Sequence, residues 1–155
     1  MWYASRKYSL ERRAARAFRL KDYAGAIRAL EDLLHVVGEN ANTLHVLATC
    51  RQRLGDHRSA IAAAERGISA DPKHLACLKL LAESHAARKD LQTARGYALR
   101  ALALMQAGTL APGILAGVIR PAAAADAHAT GTSAEEQEWQ RWARALCEST
   151  EAAET

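Results

Sequence analysis

Leu54-Gly55-Asp56-His57-Arg58-Ser59-Ala60-Ile61 is written three times in this chain, with variations. Leu20-Lys21-Asp22-Tyr23-Ala24-Gly25-Ala26-Ile27 precedes it, and Arg88-Lys89-Asp90-Leu91-Gln92-Thr93-Ala94-Arg95 follows it. Asp22, Asp56 and Asp90 stand 34 residues apart, and so do Ala26, Ala60 and Ala94. A fixed period of this length marks a helical-hairpin repeat. An aspartate beside a chain reversal, followed by a small residue four positions on, reads as a tight turn between two helices that approach closely.

The flanking sequence carries helical periodicity on both sides of each turn. Leu10, Ala14, Ala17 and Phe18 recur at i, i+4, i+7 and i+8, which predicts a helix from about Ser9, as N-cap, to Leu20. Tyr23, Ala26, Ile27, Leu30, Leu33 and Leu34 form the next stripe, ending near Gly38. In the second unit Asn42 or Thr43 can cap a helix bearing Leu44, Leu47, Ala48 and Arg51. Ala60, Ile61, Ala64 and Ile68 line the helix after it, and Asp71-Pro72 stops that helix. The third unit repeats the pattern with Leu78, Leu81, Ala82 and His85, then Ala94, Ala98, Ala101 and Leu102.

This arrangement resembles the tetratricopeptide repeat family. With the aspartates aligned, Leu44, Leu47, Ala48, Gly55, Asp56, Ala60 and Pro72 fall where that family prefers Trp or Leu, Leu, Gly or Ala, Gly, Asp, Ala and Pro. Three departures stand out: Arg13 for the usual Leu, Arg51 for the usual aromatic, and Gly67 for the usual Ala. The resemblance implies an all-α solenoid of three units, 7–40, 41–74 and 75–106, closed by C-terminal capping helices. It also implies a concave face lined by the first helix of each unit. By the resemblance, the exposed positions there are Tyr8, Glu11, Ala15, Phe18 and Arg19, then Asn42, His45, Thr49, Gln52 and Arg53, then Ala76, Lys79, Glu83, Ala86 and Ala87. An extended peptide or an amphipathic helix could lie along such a face. One branch of the family grips a terminal carboxylate with Lys and Asn. Glu11 and Ala15 occupy those positions in the first unit, which speaks against that mode.

Beyond Gln106 the repeat is lost. Thr109 through Arg120 reads as a short helix opened by Pro112, and Pro121 through Thr132 as a flexible Ala-, Gly- and Thr-rich linker, together spanning 107–133. Ser133 with Glu136 then looks like a capping box for a C-terminal amphipathic helix over 134–150. Trp139, Trp142, Ala143 and Leu146 form its apolar stripe, and the tail from Ser149 reads as frayed. This helix is expected to dock on the last repeat. It could instead occupy its own groove, or that of a second copy in a homo-oligomer.

Composition narrows the function. Half of the 155 residues are apolar, with no run near the roughly 20 needed to span a bilayer. Residues 1–7 do not lead into the apolar core of a secretory signal, so a cytoplasmic location is expected. Cys50, Cys77 and Cys147 are odd in number and scattered, as for reduced thiols. Residues 1–30 hold eight basic and two acidic groups, and residues 133–155 six glutamates and two arginines. The basic first helix could meet phosphates, but its arginines read as the solvated face of an amphipathic helix. No phosphate-binding loop, nucleophile elbow or zinc helix is present, and the six histidines and three cysteines lack metal-ligand spacing. The sequence therefore reads as a non-catalytic module without cofactor or metal, whose partner is a protein or peptide. Its size and three-unit layout also look like the small secretion chaperones of Gram-negative bacteria, which hold a partner segment in the groove.

Overall fold

In the computed structural model, residues 2–109 and 132–152 are described, and they form seven helices and no strand. They are α1 (Trp2–Arg19), α2 (Tyr23–Val37), α3 (Ala41–Arg53), α4 (His57–Ala70), α5 (Leu75–Ala87), α6 (Leu91–Thr109) and α7 (Thr132–Ala152). The expected short helix and linker fall on residues 107–133, most of which lie outside the described part.

The three aspartate turns are built alike, bond for bond. The N–H groups of Asp22, Asp56 and Asp90 donate to the carbonyls of Ala17, Arg51 and His85 at 2.9, 3.0 and 3.0 Å. Those of Lys21, Gly55 and Lys89 donate to Phe18, Gln52 and Ala86 at 3.0, 2.9 and 2.9 Å. This pair of bonds is a Schellman stop, which satisfies the last carbonyls of the first helix. It needs a left-handed residue before the aspartate, and Lys21, Gly55 and Lys89 have φ of 58, 80 and 63°. Each aspartate then starts the second helix, its Oδ1 accepting from the N–H of Gly25, Ser59 or Thr93. Hydrogen bonds from Ser59 and Thr93 hold the carboxyls of Asp56 and Asp90 below the usual aspartate range.

Helices joined by a turn pack most extensively: α1 on α2, α3 on α4, α5 on α6. Ala26, Ala60 and Ala94 are fully buried there, as the close approach requires. Leu44 and Leu78, Leu47 and Leu81, and Ala48 and Ala82 occupy equivalent buried sites in the first helices of units two and three. Each second helix next packs on the following first helix, α2 on α3 and α4 on α5. The contact of α7 with α6 continues that series, so α7 takes the place of a fourth first helix.

The departures from the family pattern have local explanations. Arg51 crosses to its neighbours, donating to the Ser59 carbonyl at 3.3 Å and to Glu31 Oε1 at 2.8 Å. Gly67 leaves room for Cys77: a Cβ there would lie 2.6 Å from Cys77 Sγ. Arg13 sits on the open side of the first helix and is exposed, while Leu10 and Ala14 carry the packing.

Several helix ends differ from the sequence reading. α1 begins at Trp2 rather than near Ser9, because nothing between them breaks a helix. The cap of α3 is Asn40, whose Oδ1 accepts from both Asn42 and Thr43 N–H; the expected caps supply the donors. Ser133 lies inside α7, which starts at Thr132. The expected fraying from Ser149 is corrected too: α7 continues to Ala152, and buried Thr150 donates to the Leu146 and Cys147 carbonyls.

Three substitutions test the turn. Lys21→Gly and Lys89→Gly should each raise stability in urea unfolding by about 1 kcal/mol, since a left-handed non-glycine residue costs that much, and Gly55→Ala should lower it similarly. Gly67→Ala should destabilise by ~1–3 kcal/mol through overpacking against Cys77, with the loss partly recovered in the Gly67→Ala, Cys77→Ala double variant.

Candidate functional site

The first helices α1, α3 and α5 follow one another along one side of the stack, and α3 touches α5 directly. Residues five, nine and twelve of each unit share a helix face by their spacing. They flank the buried positions four and eight, so their side chains cannot also enter the core.

In the first unit Tyr8 and Arg19 are exposed, and Glu11 pairs with Lys7 at 3.9 Å. Phe18 meets the ring of Tyr23 edge-on, with centroids 5.9 Å apart. In the second unit His45, Thr49 and Gln52 are half-buried, and Asn42 and Arg53 exposed. Thr49 Oγ1 donates to the His45 carbonyl at 2.9 Å and lies 3.4 Å from His45 Nε2. In the third unit Lys79 and Glu83 are half-buried beside α7.

Sequence reasoning missed His74, which ties the second and third units together. Its Nδ1 accepts the Cys77 N–H at 3.2 Å, capping α5. That leaves the proton on Nε2, which donates to Asn42 Oδ1 at 2.8 Å. The His45 ring sits 5.8 Å away. Burial pushes the His74 pKa down, opposed by the charge of Asp71. The only sequence signal was a histidine after a helix-stopping Asp-Pro, three residues before Cys77. His85 is the counterpart of Arg51: its Nδ1 lies 3.0 Å from Asp90 Oδ2, and its ring stacks on Tyr97 at 5.6 Å.

The C-terminal helix supplies the other end of this side. Trp139, Ala143 and Cys147 are buried in one cluster with Leu78, Ala82, Ala98, Ala101 and Leu102, and Leu146 packs on its edge. Trp142, expected in the same stripe, is 36% exposed. It stands where Leu47 and Leu81 stand in their helices, and both of those are fully buried. Glu135, Glu138, Trp139 and Trp142 face Glu83 across a cleft of about 370 Å³. Glu135 and Glu138 are the part of this cleft that the sequence reading did not place in a site.

Burial raises the thiols of Cys50 and Cys77 to about 11, so neither supplies a thiolate near neutral pH. Among the described residues no group of three or more His, Cys, Asp or Glu side chains is placed to hold a metal ion, and no helix is long and apolar enough to cross a membrane.

His74 gives this side a pH dependence. Its folded pKa is depressed, so it contributes stability that is present above its ordinary value near 6.5 and is lost as pH falls through the folded value. Thermal unfolding followed from pH 8 to 5 should show that loss. His74→Asn, which keeps a capping side chain, should flatten the profile. Separately, Trp139→Ala should cost ~3–5 kcal/mol, and Trp142→Ala much less.

Comparison with known proteins agrees with this architecture. The family model described as "Anaphase-promoting complex, cyclosome, subunit 3" matches residues 19–101. No curated protein matches the sequence. Among solved structures, the chain is similar to the Yersinia enterocolitica type III secretion chaperone SycD in complex with a peptide of the translocator YopD. That match has 16% identity, covers 96% of this chain and 94% of that one, and has a TM-score of 0.68. PcrH in complex with the chaperone binding region of PopD matches at 19% identity over 96% of this chain and 92% of that one, with a TM-score of 0.68. The TPR2B domain of yeast Sti1 in complex with an Hsp70 peptide matches at 17% identity over 90% and 97%, also with a TM-score of 0.68. At such identities these structures speak for the fold. Three identically bonded turns and the sequence match across them lead to one assignment: the chain belongs to the family of anaphase-promoting complex, cyclosome, subunit 3, a family of tetratricopeptide-repeat type.

Proposed function

We propose that this chain is a non-catalytic protein-interaction module, holding a peptide or helical segment of a partner protein along the side formed by α1, α3 and α5. The observation that carries this reading is the division of labour within those helices. Positions four and eight are consumed by the core, as in Leu44 and Ala48 or Leu78 and Ala82. Positions five, nine and twelve leave His45, Thr49, Gln52, Lys79 and Glu83 accessible on one continuous side. Tyr8, Glu11, Phe18, Arg19, Asn42 and Arg53 extend it. A row of polar groups at repeated spacing suits the backbone amides and alternate side chains of an extended segment.

The similar structures support the reading, since those of SycD, PcrH and Sti1 each hold a peptide or a chaperone-binding region of another protein. In this view units 7–40, 41–74 and 75–106 form the binding body and 134–150 its terminal cap. A narrower reading is a small bacterial secretion chaperone working in the cytoplasm; the SycD and PcrH matches, like that of Sti1, extend beyond the three repeats.

The test is capture of the partner from cells, its identification by mass spectrometry, and titration of the purified pair. Arg19→Glu with Arg53→Glu, both at exposed positions, should weaken binding at least tenfold without moving the melting temperature. Unchanged affinity overturns the proposed face.

A further inference from the structure

The cleft between α5 and α7 differs in chemistry from the rest of the first-helix side. It is lined by Glu83, Glu135, Glu138, Trp139 and Trp142. The two indole rings lie 5.8 Å apart, tilted by 50°. None of the three glutamates has an ion-pair partner among the described residues. Trp139 is nine-tenths buried, and its indole N–H meets no acceptor. One cation already lies against this ring: Lys79 Nζ is 5.1 Å from the Trp139 centroid. Lys79 offsets one of three carboxylates, so the cleft keeps a negative excess.

We propose that this cleft is a cation-recognition subsite that takes a lysine or arginine side chain of the bound segment. The inference rests on the reading of the first-helix side as a peptide-binding face, and it fixes that segment's direction. Carboxylates attract the charged head, and the face of an indole attracts a cation within about 6 Å. Trp142 is 36% exposed, so a ring face is available that the buried Leu47 and Leu81 cannot offer. The opposite end of the same side carries Arg19 and Arg53. A bound segment is therefore held with its basic residue at α7 and its more acidic part toward α1 and α3.

The probe is an acetylated, amidated tetralysine peptide, with tetraglutamate as its counterpart. Binding is followed through the three indole N–H signals in nitrogen-15 spectra of the full chain; Trp2, at the far end, serves as the internal control. Tetralysine should shift the Trp139 and Trp142 signals saturably and leave Trp2 in place. Tetraglutamate should move neither cleft signal. Glu83→Gln with Glu138→Gln should weaken tetralysine binding at least fivefold at unchanged melting temperature. Should that pair impair folding, Glu138→Gln alone, at an exposed position, should give at least a twofold loss. Absent shifts, shifts of Trp2 alone, or equal affinity in the glutamine variants overturn the subsite. The captured partner separates this from the broader reading. Loss of binding on Arg19 and Arg53 reversal with none in the glutamine variants removes the subsite and keeps the face. A fivefold loss in the glutamine variants with none on arginine reversal keeps the subsite at α5 and α7 and removes the part of the face along α1 and α3, and with it the assigned direction of the segment.

Discussion

Everything in this molecule hangs on a turn that is the end of one helix and the start of the next in the same four residues. The aspartate N–H closes the outgoing helix, and the aspartate carboxylate opens the incoming one. Because one residue does both, there is no slack between the two helices. Their angle and rotation follow from the bonding, and the alanine four residues on meets the preceding helix at a fixed depth. Burial of Ala26, Ala60 and Ala94 is thus a consequence of the turn as much as a cause of the packing. Repeating the device every 34 residues repeats the geometry, and a row of hairpins is the result.

A row has a side and two ends, and the candidate function follows from both. The first helices share a side because each turn places them there, and their unburied positions line up. The ends are where the repeat cannot satisfy itself. At one end α1 carries an exposed, strongly basic helix, with Arg6 stacked over Trp2 and Arg12 over Tyr8. At the other, α7 takes the place of a fourth first helix against α6. Trp139 fills the slot that stacking provides, and Trp142 stays on the surface. Charge and aromatic character are thereby concentrated at the end of the row rather than along its middle.

The repeated turn, the alanines after it and the buried leucines were all legible in the sequence, because each depends on a few residues at fixed spacing. The lysines in left-handed backbone were not. Only Gly55 advertises that conformation, while Lys21 and Lys89 are held in it by the hydrogen bonds on either side. Asn40, rather than the expected Asn42 or Thr43, caps α3, because three polar residues within four positions carry no signal of which one accepts. Arg51 and Gly67 read as defects and proved to be fitted to Glu31, Ser59 and Cys77, partners that are close in space and remote in sequence. For the candidate site, the fifth, ninth and twelfth positions followed from periodicity. His74 did not, since it acts from outside any helix. The glutamates of the cleft did not either, since they meet Glu83 only once α7 has been placed.

The most direct measurement of the central claim is chemical unfolding of a variant with one glycine inserted between Leu54 and Gly55. The insertion keeps every side chain but separates the helix stop from the helix start, turning α4 by about 100° about its axis relative to α3. If the shared aspartate sets the stack, Ala60, Ala63 and Ala64 leave their buried positions. The single cooperative transition should then fall to much lower denaturant or split in two. A midpoint and slope equal to those of the parent chain would show that helix packing alone sets the geometry, and would contradict the account.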